Sequence, residues 1–164
     1  MQMEEIGIVI LKDNSDIVYT LLLTPSGISN ILMQNLGLPS HTGYNGQPQF
    51  SPDGTKFAYH HRFGVVNSVT HQIGLLNFDR CSGLFSNPNL ISFVDSVSGF
   101  GLSFSPNSKY LYFSTFTKIF QLNTDTSNVI SSMRIVANYD NYCFPDISSC
   151  TRFWPMYLAA NGKI

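Results

Sequence analysis

The stretch FSPDGTK at residues 50–56 decides the fold, because the same pattern returns twice further along the chain. Residues 104–109 read FSPNSK, and residues 158–163 read LAANGK as a weaker copy. The three copies therefore begin 54 residues apart, at positions 50, 104 and 158. A fixed period of about fifty residues, with a turn between apolar runs in each copy, is typical of a repeat architecture built from short antiparallel strands.

The repeated stretch has the composition of a tight turn between two strands. Pro52 suits the second position of a type I turn, Asp53 the third and Gly54 the fourth. Residues 56–59 (KFAY) and 109–112 (KYLY) follow the first two turns with the same order of residue types. Their apolar side chains on both faces indicate strands that are packed on both sides, as in the blades of a β-propeller.

The composition excludes several classes of protein. With 43% hydrophobic and 12% charged residues, the 164-residue chain is too apolar to be disordered and is long enough for one core. The formal net charge is -1 and the basic residues are scattered, which argues against nucleic acid as a partner. No apolar run reaches the roughly 18 residues that span a bilayer, so membrane insertion is not expected.

The repeat predicts an all-β domain of about three β-propeller-like blades, each a four-stranded antiparallel sheet, arranged as an incomplete, open arc. The third turn falls just before Ile164, so we expect an internal piece of a longer protein, whose remaining blades would be partners of this region. For residues 28–36 a helix is the alternative to a strand. The expected segments of this single partial domain are a blade remnant at 6–45, complete blades at 46–98 and 99–152, and the start of the next blade at 153–164. Among the expected strands are 90–93, which ends the first complete blade, 101–104 and 110–114 on either side of the second turn, and 153–158 before the third.

The spacing between matching residues locates two insertions. A second repeated motif marks the third strand of each complete blade: LNFD at residues 76–79 and LNTD at residues 122–125. Relative to each other, the first blade has extra residues at 63–70 and the second at 139–151. Because neighbouring strands alternate in direction, both insertions should form loops on the same rim, where ligand-binding residues are usually found.

Aromatic residues in or near these loops are the candidate binding residues, because exposed aromatic side chains can anchor a ligand. The alternative is that half or more of them pack beneath their own loops. The ligand class that they would serve stays open between protein and glycan. The candidates are Phe63, Tyr139, Tyr142, Phe144 and Trp154.

Two cysteines are close enough in sequence to suggest a disulfide, and three histidines are close enough to be considered as metal ligands. Cys143 and Cys150 flank a short loop and would form a disulfide in an oxidising compartment, with two free thiols as the alternative. His60, His61 and His71 are close in sequence, but adjacent residues of a strand point to opposite faces. At most one of the first two can therefore join His71, and no metal site is expected.

The chain has no recognisable catalytic or cofactor-binding motif. The segment GLSFS at residues 101–105 falls short of the G-x-S-x-G elbow of serine hydrolases and lies on a predicted core strand. No glycine-rich motif that would cradle a phosphate is present. Cys81 follows a turn, and we expect a buried small residue there rather than a nucleophile. Neither enzymatic activity nor a cofactor is expected.

Three stretches carry a resemblance to a known class of proteins: residues 78–83 (FDRCSG), 101–112 (GLSFSPNSKYLY) and 156–164 (MYLAANGKI). They resemble the propeller-type repeats of large exported Bacteroidetes proteins, which commonly carry a C-terminal type IX secretion sorting domain. More broadly, they resemble the tryptophan-aspartate, TolB-like and peptidase-associated propeller families, although this chain has a single Trp and no Trp-Asp pair. The resemblance implies a location outside the cell or on its surface.

These observations favour a non-catalytic binding or scaffold propeller within a larger exported or cell-surface protein, with its ligand on the rim that carries the 63–70 and 139–151 loops. The alternative is an accessory propeller of a hydrolase or peptidase whose catalytic domain lies outside this chain. A purely structural role in a surface assembly is a third interpretation. Flanking sequence would separate them, because a serine-hydrolase elbow favours the accessory role and further repeats with a sorting domain favour the first.

Overall fold

The computed structural model describes residues 6–38, 46–65, 67–145 and 149–164. Strands dominate these residues, and the predicted all-β class is confirmed. The helical structure within the described ranges is one short 3-10 turn, Ile130–Ser132. No helix in the described part of the chain is long and apolar enough to cross a membrane.

The strands form three antiparallel sheets and one short hairpin, and within each sheet they are ordered as they follow in sequence. Sheet 1 consists of β1 (Ile6–Leu11), β2 (Ile17–Thr24) and β3 (Gly27–Asn35). Sheet 2 consists of β4 (Pro48–Phe50), β5 (Lys56–Val65), β6 (Ser68–Asp79) and β7 (Leu84–Asp95). Sheet 3 consists of β8 (Gly101–Phe104), β9 (Tyr110–Ser114), β10 (Lys118–Asn123) and β11 (Arg134–Asn138). The hairpin pairs β12 (Cys143–Phe144) with β13 (Ser149–Cys150).

The repeated turns have similar backbone hydrogen bonding in all three copies. The first residue of each turn donates its N–H to a carbonyl four or five residues later and accepts the N–H of the residue three positions on. That fourth residue has a positive φ in each case: 69° at Gly54, 59° at Ser108 and 76° at Gly162. The three turns thus recur at the 54-residue period of the sequence, and Phe50 and Phe104 occupy equivalent places at the ends of β4 and β8.

Sheet 2 lies between the other two sheets and packs on both. Along β5, Phe57 and Tyr59 face sheet 1, whereas Ala58 and His60 face sheet 3, which follows from the two-residue alternation of a strand. The buried core between sheets 1 and 2 contains Val18, Leu36, Leu38, Phe57, Tyr59, Leu76 and Phe85. The core between sheets 2 and 3 contains Ala58, Ile73, Leu75, Ile91, Leu102, Phe104, Leu111, Phe113, Phe120, Leu122 and Val129. The sheets therefore stack face to face in chain order.

Glutamine side chains join neighbouring sheets at their edges. The Gln34 amide accepts the N–H of Phe85 (2.9 Å) and donates to the carbonyl of the same residue (2.6 Å), which links sheet 1 to sheet 2. Gln47 and Gln49 accept the N–H groups of Leu102 (3.0 Å) and Phe104 (3.1 Å), which links sheet 2 to β8. These bonds satisfy backbone donors that the ladders leave unpaired.

Three expectations differ from the structure or are decided by it. Residues 28–36 continue a strand rather than a helix, since β3 covers Gly27–Asn35. The predicted loop at 63–70 is wrong, because β5 and β6 extend through it to a tight turn and the extra residues lengthen the hairpin. The predicted strand at 153–158 belongs to no sheet among the described residues. Residues 39–45, at the end of the first predicted segment, lie outside the described residues.

Candidate functional site

One edge of the stack, which we call the loop edge, gathers four connections: the β5–β6 turn, the β7–β8 connection, the β9–β10 turn and the segment after β11. Backbone hydrogen bonds tie each of these connections to the next one. They run from Asn67 N–H to Ser96 O (3.0 Å), from Phe116 N–H to Ser98 O (2.7 Å), from Tyr139 N–H to Thr117 O (2.8 Å) and from Phe153 N–H to Phe116 O (3.1 Å). The loop edge is therefore a continuous hydrogen-bonded surface.

A cleft of about 420 Å³ opens at the loop edge. Hydroxyl groups, backbone polar groups and the guanidinium of Arg152 surround it, while apolar side chains form part of its wall. Its lining consists of Val69, Ser96, Val97, Ser98, Phe116, Thr117, Tyr139, Cys150, Thr151 and Arg152. This mixture of polar groups and apolar surface is typical of sites that orient a ligand through a few specific contacts.

An aromatic cluster stands beside the cleft. The ring of Trp154 lies 5.6 Å from that of Phe100 and 5.5 Å from that of Phe116, while the two phenylalanine rings are 5.9 Å apart in an edge-to-face arrangement. The Arg152 guanidinium lies 5.1 Å from the centre of the Phe116 ring, within the range of a cation–π contact. Trp154 remains 56% exposed. The cluster thus holds an exposed indole in a defined orientation.

A partly buried ion pair lies beside the cleft, since Asp95 and Lys118 adjoin the lining residues Ser96 and Thr117. The Lys118 ammonium lies 3.2 Å from both carboxylate oxygens of Asp95, and Asp95 also accepts the N–H of Ser96 (2.7 Å). Burial would raise the pKa of Asp95, but the hydrogen bonds from Ser96 and Lys118 outweigh it and lower that pKa below its usual value. Asp95 therefore stays ionised and fixes the start of the β7–β8 connection against β10.

Two histidines are buried beneath the same connection. His60 Nε2 lies 3.0 Å from His71 Nδ1, His71 Nε2–H donates to the carbonyl of Val97 (3.0 Å), and His60 Nδ1 lies 3.4 Å from the carbonyl of Gly101. Burial, reinforced by His71, lowers the pKa of His60 to about 3, and burial lowers the pKa of His71 as well. In the neutral form the pair therefore links sheet 2 to the β7–β8 connection through the carbonyl of Val97.

The three histidines lie on two faces of sheet 2, as the alternation of side chains along a strand predicts. His60 faces His71, and His61 lies on the opposite face, with its ring 6.2 Å from that of Phe63. Within the described ranges, no group of three or more His, Cys, Asp or Glu residues is placed to hold a metal ion.

A disulfide closes the hairpin that follows β11. Cys143 and Cys150 lie directly opposite each other in the β12–β13 pair and are joined through their sulfur atoms. Asp140 holds the base of the hairpin, since it accepts hydrogen bonds from the Thr151 hydroxyl (2.7 Å) and the Tyr142 N–H (3.0 Å). Residues 146–148, at the tip of the predicted 139–151 loop, lie outside the described residues.

The five predicted binding residues fall into three places. Tyr139 lines the cleft, and Trp154 belongs to the aromatic cluster beside it. Tyr142 and Phe144 lie on the disulfide hairpin, 51% and 46% exposed, with their rings 5.3 Å apart. Phe63 is half-buried on the face of β5 that is turned away from sheet 3, so it does not join the others.

Sequence reasoning missed Phe100, Phe116 and Arg152. The two phenylalanines lie on different connections, and only the fold brings their rings to Trp154. One signal was available, because each stands at the loop-edge end of a strand that the repeat had already located. A further correction concerns Cys81, which is exposed rather than buried, at the turn after β6. Its N–H donates to the Asp79 carboxylate (2.9 Å).

Comparison with known proteins adds little. No protein-family model matches the chain, and no curated protein matches it. Among solved structures, the chain is similar to part of hydrazine synthase from Kuenenia stuttgartiensis, with a TM-score of 0.44 and 12% sequence identity. The match covers 75% of this chain and 39% of that one, so this chain spans about two fifths of its length. A likeness of this degree does not assign a fold family or a function.

Proposed function

We propose that this protein is a non-catalytic binding region built from β-propeller blades, within an exported or cell-surface protein. In this interpretation sheets 2 and 3 are complete blades and sheet 1 is an incomplete one. Three features support it: the turns recur every 54 residues, each sheet is an antiparallel meander, and consecutive sheets pack face to face. Radial repetition of such sheets is the propeller architecture.

The ligand would bind at the loop edge. The observation that carries this proposal is the exposed Trp154, held by two phenylalanine rings beside a cleft with polar lining. A large aromatic side chain that is already fixed in place loses little conformational freedom on binding, and Trp and Arg are the residues that most often dominate binding energy. Arg152 and Tyr139 would contact the same ligand, which is a protein segment or a glycan.

The experiment uses Trp154 as its own probe, because it is the single tryptophan of the chain. Soluble oligosaccharides and peptides are titrated into the protein while the tryptophan fluorescence is recorded. We expect a ligand from one of the two panels to shift the emission in a saturable way. Arg152→Ala should weaken its binding by about tenfold or more, the effect of a residue worth at least 1.4 kcal/mol.

Leu84→Ala serves as the matched control, since Leu84 is also exposed but lies at the opposite end of β7 from the loop edge. It should leave the affinity unchanged. A ligand whose affinity depends on Leu84 but not on Arg152 would place the site elsewhere. If neither panel alters the emission, and calorimetry with the same ligands detects no heat, the proposal of binding at the loop edge is rejected.

A further inference from the structure

The cleft at the loop edge contains a cation that has no partner of opposite charge in the described part of the chain. Arg152 lines the cleft and is exposed, and its guanidinium lies against the ring of Phe116. It makes neither a hydrogen bond nor an ion pair with the described residues. The N–H donors of a guanidinium form a planar fork, and contact with a ring leaves them available to a bidentate acceptor such as a carboxylate.

The described lining of the cleft includes no Asp or Glu. Two carboxylates are close to it in sequence, and both have partners. Asp95 is paired with Lys118 (3.2 Å). Asp140 lines a neighbouring cavity of about 230 Å³ and accepts the hydroxyl of Thr151 (2.7 Å). Arg152 is therefore the one described lining residue that is charged at neutral pH, and a cleft with this charge favours an anionic ligand.

Hydroxyl groups that are available for a ligand surround the same space. Ser98 and Thr117 line the cleft, and their hydroxyls make no hydrogen bond to the described residues. The Tyr139 hydroxyl, also in the lining, has a long contact of 3.8 Å with the sulfur of Cys143. A side-chain hydroxyl can both donate and accept a hydrogen bond, as each hydroxyl of a sugar can. The lining therefore suits a ligand that carries many hydroxyl groups.

The exposed indole of Trp154 supplies an apolar surface for such a ligand. Its ring lies 5.5 Å from the ring of Phe116, and the Arg152 guanidinium lies 5.1 Å from the same ring. The indole and the guanidinium are therefore within reach of one small ligand. One face of a sugar ring carries mainly C–H groups, and a flat aromatic ring can bury that face while the hydroxyls at the rim remain free to form hydrogen bonds.

A peptide fits the cleft less well than a sugar. Extended peptides are commonly bound through main-chain hydrogen bonds along an open strand edge. At the loop edge the connections use main-chain N–H and carbonyl groups on one another, as between Phe116 and Ser98 or between Tyr139 and Thr117. The groups that remain for a ligand are side-chain hydroxyls, one guanidinium and one indole, which match a sugar better than a peptide backbone.

We infer that the loop edge binds an acidic glycan, a chain of sugar units that carry carboxylate groups, as uronic acids do. This inference rests on the loop-edge binding proposed above. Arg152 would bind the carboxylate, Trp154 would pack on the ring that carries it, and the hydroxyls of Ser98 and Thr117 would bond its hydroxyl groups. The same sugar without its charge would leave the guanidinium unpaired, so the site should distinguish the two.

The test is a matched titration of the full 164-residue chain. The probes are short oligosaccharides of galacturonic acid, of mannuronic acid and of hyaluronan, each beside a carboxyl-reduced form in which CH₂OH replaces the carboxylate. Tryptophan fluorescence and calorimetry measure the affinity. We expect at least one acidic oligosaccharide to bind about tenfold or more tightly than its reduced form, because the reduced form cannot make the charge-assisted, bidentate hydrogen bond to Arg152.

Variants of Arg152 assign this preference to its guanidinium. Arg152→Gln should lower the affinity for the acid to that for the reduced form, while the affinity for the reduced form hardly changes. Arg152→Lys keeps the charge without the planar fork and should lie between the two. Lys109→Gln is the matched control, since Lys109 is also an exposed cation near a ring, 5.6 Å from that of Tyr110, but lies in the turn between β8 and β9, at the opposite end of sheet 3. It should keep the full preference for the acid.

Each other result overturns the inference. Equal affinities for an acid and its reduced form would show a site for neutral sugars, and binding of oligoglutamate but of no oligosaccharide would show a peptide site. Either result rejects the acidic glycan and leaves binding at the loop edge standing. A preference for the acid that persists in Arg152→Gln would show that the charge is recognised elsewhere. If no acidic oligosaccharide binds, the acidic glycan is rejected, and the proposed function is then decided by the other ligands of its own titration.

Discussion

The buried histidine pair has fewer protons than it has hydrogen-bonding contacts. The chain of contacts from the Gly101 carbonyl through His60 and His71 to the Val97 carbonyl has three links, and each requires one N–H. Two neutral imidazoles supply two. The longest link, the 3.4 Å contact between His60 and Gly101, is therefore the one without a proton. Both rings would carry their proton on Nε2 at neutral pH.

The first prediction is that acid destabilises the fold through this pair. Burial lowers the folded-state pKa of both histidines, so below about pH 6.5 the unfolded chain binds protons that the folded chain does not. The contribution of His60 to stability should be nearly constant above this pH and should fall by about 2 kcal/mol between pH 7 and pH 5, and His71 should add a loss in the same direction. Urea denaturation at a series of pH values measures it.

His60→Leu/His71→Leu provides the comparison for the pH series. The double variant should be less stable at pH 7, because the carbonyl of Val97 loses its hydrogen-bond donor, but its stability should depend much less on pH between 7 and 5. An equal slope in both proteins would contradict the assignment. Nitrogen NMR of the imidazoles checks the Nε2–H tautomers independently.

The second prediction concerns the serine that begins each strong copy of the turn. Ser51 Oγ accepts the N–H of Lys56 (2.9 Å) and donates to Asp53 (2.6 Å), and Ser105 makes the equivalent bonds to Tyr110 (2.9 Å) and Asn107 (2.7 Å). Both serines are buried. Ser51→Ala and Ser105→Ala should each lower the free energy of unfolding by about 1–3 kcal/mol, since a partly buried N–H loses its acceptor.

Thr126→Ala is the control for the serine variants. Its hydroxyl makes a different bond to the backbone, donating to the carbonyl of Asn123 at an exposed site, so its loss should change stability by less than about 0.5 kcal/mol. Denaturation midpoints of the three variants would decide the matter. Equal effects at the buried and exposed sites would show that the turn hydroxyls do not stabilise the repeat.

At the scale of whole elements, the glutamine links between sheets give the third prediction. Gln49→Leu keeps the approximate volume but leaves the buried N–H of Phe104 without its acceptor. We expect a loss of about 1–3 kcal/mol in the free energy of unfolding. Gln49→Glu retains an acceptor oxygen at the same position and should be closer to the native protein. If Leu and Glu are equally harmful, the amide does not act through this hydrogen bond.

The strands that could be predicted from the sequence are those that flank a turn recurring at the 54-residue period. The bounds expected for β8 and β9, Gly101–Phe104 and Tyr110–Ser114, match the structure because a turn with strong residue preferences separates them. By contrast, β7 was expected at 90–93 but covers Leu84–Asp95. Pro88 made this segment look unlike a strand, because proline lacks the N–H that a strand ladder uses. An edge strand tolerates proline, because its outward N–H groups need no partner.

The candidate site was less predictable than the fold. The common edge of the β5–β6 turn and the segment after β11 follows from strand alternation alone, which is why Tyr139 and Trp154 could be proposed. The approach of Phe100 and Phe116 to Trp154 depends on the path of three separate connections. No spacing in a single sequence encodes such a path, because it is set by how the sheets stack.

At the scale of the whole molecule, the stack ends in two apolar faces that its own sheets do not cover. Sheet 2 buries both of its faces, whereas sheets 1 and 3 each bury one. The hydrophobic contribution of an exposed isoleucine or methionine is realised only on association, at about 25 cal/mol per Å² of apolar surface removed from water. We therefore expect the 164-residue chain to associate rather than to remain a stable monomer.

The last prediction tests this with charge placed on the face of sheet 1. Ile31→Lys/Met33→Lys changes two side chains that are 66% and 64% exposed, so it should hardly affect the fold of one copy, but burying two ammonium groups in an interface is costly. The variant should sediment as a smaller species at concentrations where the native chain associates. Ile130→Lys, at a 41% exposed position in the 3-10 turn, should leave association unchanged. If the double variant associates as strongly as the native chain, the outer face of sheet 1 is not the contact surface, because two unpaired lysines there could not be buried without weakening it.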